Sequence, residues 1–285
     1  MTEITAAAVK ALRERTGAGM MDCKRALQEA GGDEEKAIDL LRQSGAAKAA
    51  KRAHREATEG TVVLARDEAT GAVAMVEVSS ETDFVARNEE FLAFAERAAA
   101  TALAEGGEGA ARPGEELLDL PADAPLRAEL EGLRAKIGEN LDLSRFVRYQ
   151  PAPNALLASY IHFGNRIGVL IELEGTSESA DLANLARDVA MHIAASRPSG
   201  ITPDDIPEEE RERERHVLVE QAAAEGKPPE IAERIVDGRM RKFYEQAALL
   251  WQPFVKDPDR KISDLLEEAG PEVAVARFVR FDVAD

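Results

Sequence analysis

The chain has 285 residues, 54 of them acidic and 36 Lys or Arg, for a formal net charge of −18 at pH 7; so negative a surface repels phosphates and argues against general RNA or DNA binding. Its 45% hydrophobic content suffices for real cores and excludes wholesale disorder, and no apolar run approaches the ~20 residues of a membrane span. A single cysteine, Cys23, excludes an internal disulfide and points to a reducing cytoplasm, and the N-terminus lacks the basic and apolar regions of a secretory signal.

Three short helices are predicted in the first 45 residues. Ala8, Val9 and Leu12 line the first, which stops at Gly17-Ala18-Gly19, and Cys23, Ala26, Leu27 and Ala30 follow at helical spacing until Gly31-Gly32. Asp33 caps the third, Glu34 and Glu35 suit its positive end, Ile38 and Leu41 face inward, and Gly45 closes it. So small a core can dock on a partner but is too small to enclose a substrate. Residues 46–58 form a basic, alanine-rich connector: a solvated helical linker, or an RNA-binding arm without aromatics for base stacking.

Beyond Gly60 the pattern becomes β-rich, at Val62-Val63-Leu64 and from Val73 to Val78, with a turn over 67–71. After Glu81-Thr82-Asp83-Phe84-Val85 a long helix is predicted, capped by Asn88, with Phe91, Phe94, Ala95 and Ala98 facing inward. Residues 106–125 read as loop, and a further helix leads to Lys136-Ile137-Gly138-Glu139-Asn140. A second β-rich unit opens with strands near 143–150, 155–163 and 166–174, the last two joined at Gly164-Asn165, and a helix over 179–195 follows. Residues 204–250 read as a helical hairpin broken at Gly226-Lys227-Pro228-Pro229, its returning stripe being Ile231, Ile235, Met240, Phe243 and Ala247. A helix near 261–269 and a strand near 273–283 would rejoin the second β unit. The fold class is therefore α+β: a three-helix module (1–45), a basic linker (46–58), and a core of two α+β subdomains with small antiparallel sheets (59–140, and 141–203 with 251–285). A coiled-coil hairpin is inserted at 204–250.

No reactive constellation stands out. His54, His162, His192 and His216 are scattered, none at metal-ligand spacing with Cys23. Gly226-Lys227 lacks the remaining residues of a phosphate loop. Neither a cofactor nor a metal site is expected, and the chain reads as a non-enzyme. Cys23 reads as a core residue, His192 as a packing residue, and His162, before a hairpin turn, as either structural or partner-facing. Phe84 stands in a strand-to-helix connection where polar residues are the rule. It either folds back to cap the core or projects as an aromatic wedge beside the Asp83 carboxylate, and spacing leaves both open.

Leu12-Arg13-Glu14-Arg15-Thr16-Gly17-Ala18-Gly19-Met20-Met21-Asp22-Cys23-Lys24, Thr82-Asp83-Phe84-Val85-Ala86 and Lys136-Ile137-Gly138-Glu139-Asn140 resemble, in order, signatures of the elongation factor Ts family. Ser159-Tyr160-Ile161-His162, Arg166-Ile167-Gly168-Val169-Leu170, Ala190-Met191-His192-Ile193-Ala194-Ala195-Ser196 and Gly238-Arg239-Met240-Arg241-Lys242-Phe243 continue the resemblance over nearly the whole chain. Ser80-Glu81 stands where some relatives carry Cys-Gln, residues 105–125 resemble nothing specific, and a further C-terminal helical module of some relatives has no counterpart before Asp285.

The resemblance implies a cytoplasmic translation factor that binds elongation factor Tu carrying GDP and promotes exchange for GTP. In that family the residue matching Phe84 wedges between helices of the partner's nucleotide domain, and the one matching Asp83 acts near its Mg²⁺; Thr82 and Val85 complete the segment. The module carrying Met20, Met21 and Lys24 would dock as a ubiquitin-associated-like bundle, and Ile137, Gly138 and His162 would also face the partner. No direct nucleic-acid or membrane contact is implied. The 204–250 hairpin would serve either a homodimer or an extra partner contact. A GTPase-binding scaffold without exchange activity is the alternative reading, and an RNA-binding accessory factor resting on the basic segment a weaker one.

Overall fold

The computed structural model describes residues 4–52, 54–120, 126–175, 180–226 and 228–285. Helix α1 (Ala6–Thr16) starts where the Thr5 hydroxyl accepts the Ala8 N–H and stops where Gly17 turns left-handed at φ 66°. Helices α2 (Met20–Glu29) and α3 (Glu34–Arg52) complete the bundle, the latter capped by Asp33. Val9, Leu12, Cys23, Ala26, Leu27 and Ala37 form its core, Cys23 fully buried as a packing residue. Gly45 does not close α3. The alanine-rich sequence beyond it is a strong helix former, against which one glycine costs only about 1 kcal/mol. A Cβ at Gly45 would meet the Ala135 side chain at 3.4 Å, so the helices approach closely there. Most of the expected linker is thus helix; Ala53 lies outside the described residues.

Strand β1 (Glu59–Arg66) and strand β2 (Val73–Ser80) form an antiparallel hairpin. Helix α4 (Asp83–Ala86) and helix α5 (Glu89–Glu105) follow. The stretch read as loop contains strand β3 (Arg112–Pro113) and helix α6 (Gly114–Leu118), with 121–125 outside the described residues. Helix α7 (Leu126–Ile137) leads into strand β4 (Leu141–Tyr149). The sequence groups β4 with the strands after it, but β4 pairs antiparallel with β2, giving a sheet of order β1-β2-β4-β3. Central β2 is buried along its whole length. Phe91 and Phe94 of α5, Leu130 of α7 and Phe146 of β4 share one core, each side chain contributing about 1.5–3 kcal/mol of burial.

Strand β5 (Leu156–Ile161) and strand β6 (Ile167–Glu174) make the second hairpin, followed by helix α8 (Ala180–Ser196), helix α9 (Glu208–Ala224) and helix α10 (Pro229–Ala247). Within the helical hairpin Leu218, Ala222, Val236 and Met240 are buried together. Ile231, expected in that stripe, is exposed, and Val236 takes the inward position. Short strands β7 (Pro253–Phe254) and β8 (Asp257–Lys261), helix α11 (Ile262–Ala269) and strand β9 (Ala274–Asp282) complete the chain. The second sheet has the order β5-β6-β9. Val169 and Ile171 of β6 pack with Val189 and Ile193 of α8 and Leu266 of α11.

The mixture of helices with small antiparallel sheets is the expected α+β class. The chain divides into two compact units: Met1–Tyr149 with Gly164–Arg166 and Asp282–Asp285, and Gln150–Phe163 with Ile167–Phe281. The bundle therefore belongs to the unit built on the first sheet. No helix among the described residues is long and apolar enough to cross a membrane.

His192, on α8, is fully buried. Its Nδ1 accepts the Val255 N–H at 3.3 Å, which places the proton on Nε2, 2.8 Å from the Gln252 Oε1. Burial pushes its pKa down, opposed by the Gln252 hydrogen bond. The imidazole is a neutral strut between α8 and the segment entering β7.

Candidate functional site

The end of β2 delivers Glu81 and Thr82 to the surface of the first unit. Thr82 is extended (φ −129°, ψ 153°) and caps α4, its Oγ1 accepting the Val85 N–H at 3.4 Å. A helix of four residues cannot sustain itself, because one turn fixes several dihedrals for very few hydrogen bonds. Its shape comes from outside. Val85 is buried in the core with Phe91 and Phe94, which fixes the rotation of α4. Asn88 then ends the turn by capping α5, accepting from Glu90 at 2.9 Å and Phe91 at 3.3 Å.

With Val85 turned in, Phe84 is turned out. Its side chain is 84% exposed, so it does not plug the core. Beside it Asp83 is half-exposed and paired with Arg87 at 3.1 Å, one helical turn on. An apolar ring thus stands next to a carboxylate on a one-turn pedestal. Val85, grouped with its neighbours by sequence, offers no contact surface; its side chain anchors the pedestal.

The segment after α7 closes against this loop. Gly138 takes φ 85°, a left-handed conformation that lets the backbone leave the helix, and Ile137 packs half-buried against the core. Glu139 then accepts two hydrogen bonds from Thr82: N–H at 3.1 Å and Oγ1–H at 2.8 Å. In return Glu81 accepts the Asn140 N–H at 2.6 Å and pairs with Arg55 at 3.3 Å. Asn140 Nδ2 donates to the Arg55 carbonyl at 2.9 Å, and Ser80 Oγ donates to the Thr82 carbonyl at 3.0 Å. Glu139, Asn140 and Arg55 were assigned no role from sequence. The signal available for Glu139 and Asn140 was their place in the Lys136-Ile137-Gly138-Glu139-Asn140 signature, directly after a glycine that ends a helix.

Met20 and Met21 are 44% and 68% exposed at the start of α2, and Lys24, one turn on, is exposed as well. Met20 lines an open cleft with Lys10, Arg13, Glu14, Gly17 and Lys136, the residue preceding Ile137. The first unit therefore brings Thr82–Val85 together with the 137–140 segment and places Met20 in one cleft with Lys136. His162 belongs to the second unit, where it is exposed and its Nδ1 lies 3.0 Å from the Tyr160 hydroxyl. Next to it Phe163, which sequence reasoning passed over, is 96% exposed. Among the described residues no group of three or more His, Cys, Asp or Glu side chains is placed to hold a metal ion. What the arrangement presents at the surface is an exposed ring beside a carboxylate.

The family model described as Elongation factor TS matches residues 81–285. Among similar proteins, "Elongation factor Ts" of Alkalilimnicola ehrlichii is 48% identical, over 99% of this chain and 92% of its own length. That of Aquifex aeolicus is 46% identical over 96% of each chain, and that of Clostridioides difficile 45% identical over 100% of this chain and 94% of its own.

Proposed function

The chain belongs to the elongation factor Ts family of translation elongation factors, and on that premise we propose that it acts as a guanine nucleotide exchange factor in the cytoplasm. It binds elongation factor Tu carrying GDP, dislodges the Mg²⁺ and so releases GDP, allowing GTP to load. A GTPase holds its nucleotide through Mg²⁺ and backbone donors around the phosphates. A factor that inserts a side chain beside those groups weakens them and replaces part of the lost binding energy with its own interface. By linkage, GDP and the factor each weaken the other's binding to the GTPase.

The observation that carries this reading is Phe84, 84% exposed on a pedestal whose next residue is buried. In the partner the ring would gain about 1.5–3 kcal/mol from burial alone. Asp83 brings negative charge to the partner's Mg²⁺ environment, Thr82 caps the pedestal and Val85 anchors it. Met20, Met21 and Lys24 form a docking face, and Ile137, Gly138 and His162 contribute further contact. No step involves a covalent bond or a cofactor, so the chain itself is not an enzyme.

The test is release of a fluorescent GDP analogue from elongation factor Tu. The chain should accelerate release, and Phe84→Ala should lose most of that acceleration while folding normally. Binding to the GTPase without faster release by the unaltered chain would leave a scaffold in place of an exchange factor.

A further inference from the structure

We infer that Glu139 is a positioning residue for exchange, acting through Thr82 and α4 to hold Phe84 in its presented orientation; the inference rests on the exchange reading above. The two segments exchange carboxylate-to-backbone hydrogen bonds. Glu139 accepts from the Thr82 N–H at 3.1 Å, and Glu81 accepts from the Asn140 N–H at 2.6 Å. Bonds to ionised acceptors are shorter and stronger than neutral ones, and two of them crossed between the segments resist sliding in either direction.

Thr82 is the hub. Its N–H, as that of a cap residue, has no partner within the helix and is taken by Glu139. Its hydroxyl donates to Glu139 at 2.8 Å and accepts from Val85 at 3.4 Å, so the Glu139 carboxylate also orients the oxygen that caps α4. At the ends of α4 the backbone supplies Ala86 N–H to the Thr82 carbonyl at 3.2 Å, and Asn88 N–H at 2.9 Å and Arg87 N–H to the Val85 carbonyl. Without the carboxylate the turn carrying Phe84 keeps Val85 as a pivot and the Ser80 bond to the Thr82 carbonyl, but the Thr82 N–H and hydroxyl lose the acceptor that sets their direction. A wedge that must be ordered on insertion spends part of its interaction energy on that ordering, whereas one already ordered does not.

A contact residue and a positioning residue are told apart by coupling. We compare maximal rates of GDP-analogue release at saturating factor for four proteins: the unaltered chain, Glu139→Ala, Phe84→Ala and the double variant. Glu139→Ala should lower the rate on the order of tenfold when Phe84 is present, and by less than about twofold when Phe84 is already Ala, as coupled sites do. Glu139→Gln keeps one carbonyl oxygen for Thr82 and should lose about threefold, again only with Phe84 present. It keeps the test open if the alanine variant does not fold. Full activity of Glu139→Ala, or equal fold-losses in both backgrounds, overturns the positioning role while leaving the exchange reading intact. Failure of the unaltered chain to accelerate release overturns that reading and this inference together.

Discussion

Phe84 in the first unit and Phe163 in the second are both large exposed rings, 84% and 96% accessible, yet their supports differ. Phe84 rides on a helical turn pinned by buried Val85 on one side and by the Glu139 carboxylate on Thr82 on the other. Phe163 sits in a turn whose shape comes from the left-handed backbone of Gly164 (φ 87°) and Asn165 (φ 57°), and its neighbour His162 is exposed. Accessibility alone would rank Phe163 first as a wedge. On the exchange reading proposed above the order is reversed, because Phe84 stands on its helical turn beside the Asp83 carboxylate.

The sharpest way to break this comparison is to truncate both rings. Phe84→Ala should cost about 30-fold or more in GDP release from elongation factor Tu, the scale of a central interface anchor. Phe163→Ala should cost about threefold or less, in keeping with a peripheral contact. Equal losses in parallel release assays would mean that the pedestal is irrelevant.

Next in size is the pedestal itself. Val85→Ala removes a buried branched side chain and should lower stability by about 1.5–2.5 kcal/mol in denaturant titrations. Phe84→Ala, at an exposed position, should shift stability by less than about 0.5 kcal/mol. The reverse ranking would place the ring in the core.

The smallest effect concerns polar anchors. The surface loop of the first unit is held by the carboxylates of Glu81 and Glu139, whereas the second unit uses the neutral imidazole of His192, whose pKa burial lowers from 6.5. Below that value the unfolded chain takes up the proton more readily than the folded one. The stability His192 confers is thus present above pH 6.5 and lost as pH falls through its folded pKa. Denaturant midpoints measured from pH about 7 to about 5 should fall for the wild type and fall less steeply for His192→Gln.

Local chemistry determined much of this protein. The caps at Asp33 and Asn88, the apolar faces of α2 and α5, the hairpin turn at Gly164-Asn165 and the break before Pro229 follow from side-chain preferences within a few residues, and could be read directly. The ordered motifs also pointed to the family. What the sequence left open depends on groups far apart in the chain. Strand β4 pairs with β2 because a central strand needs two neighbours, and a linear pattern does not say which strand fills the second place. Helix α3 runs past Gly45 because alanine-rich propensity outweighs one glycine, at a point of close approach to α7. Whether Phe84 points in or out could not be settled by hydrophobicity, since Phe84 and Val85 are adjacent and both apolar. The structure settles it by burying Val85 and drawing Thr82 onto a carboxylate 57 residues away, so the exposed ring is a consequence of tertiary anchoring.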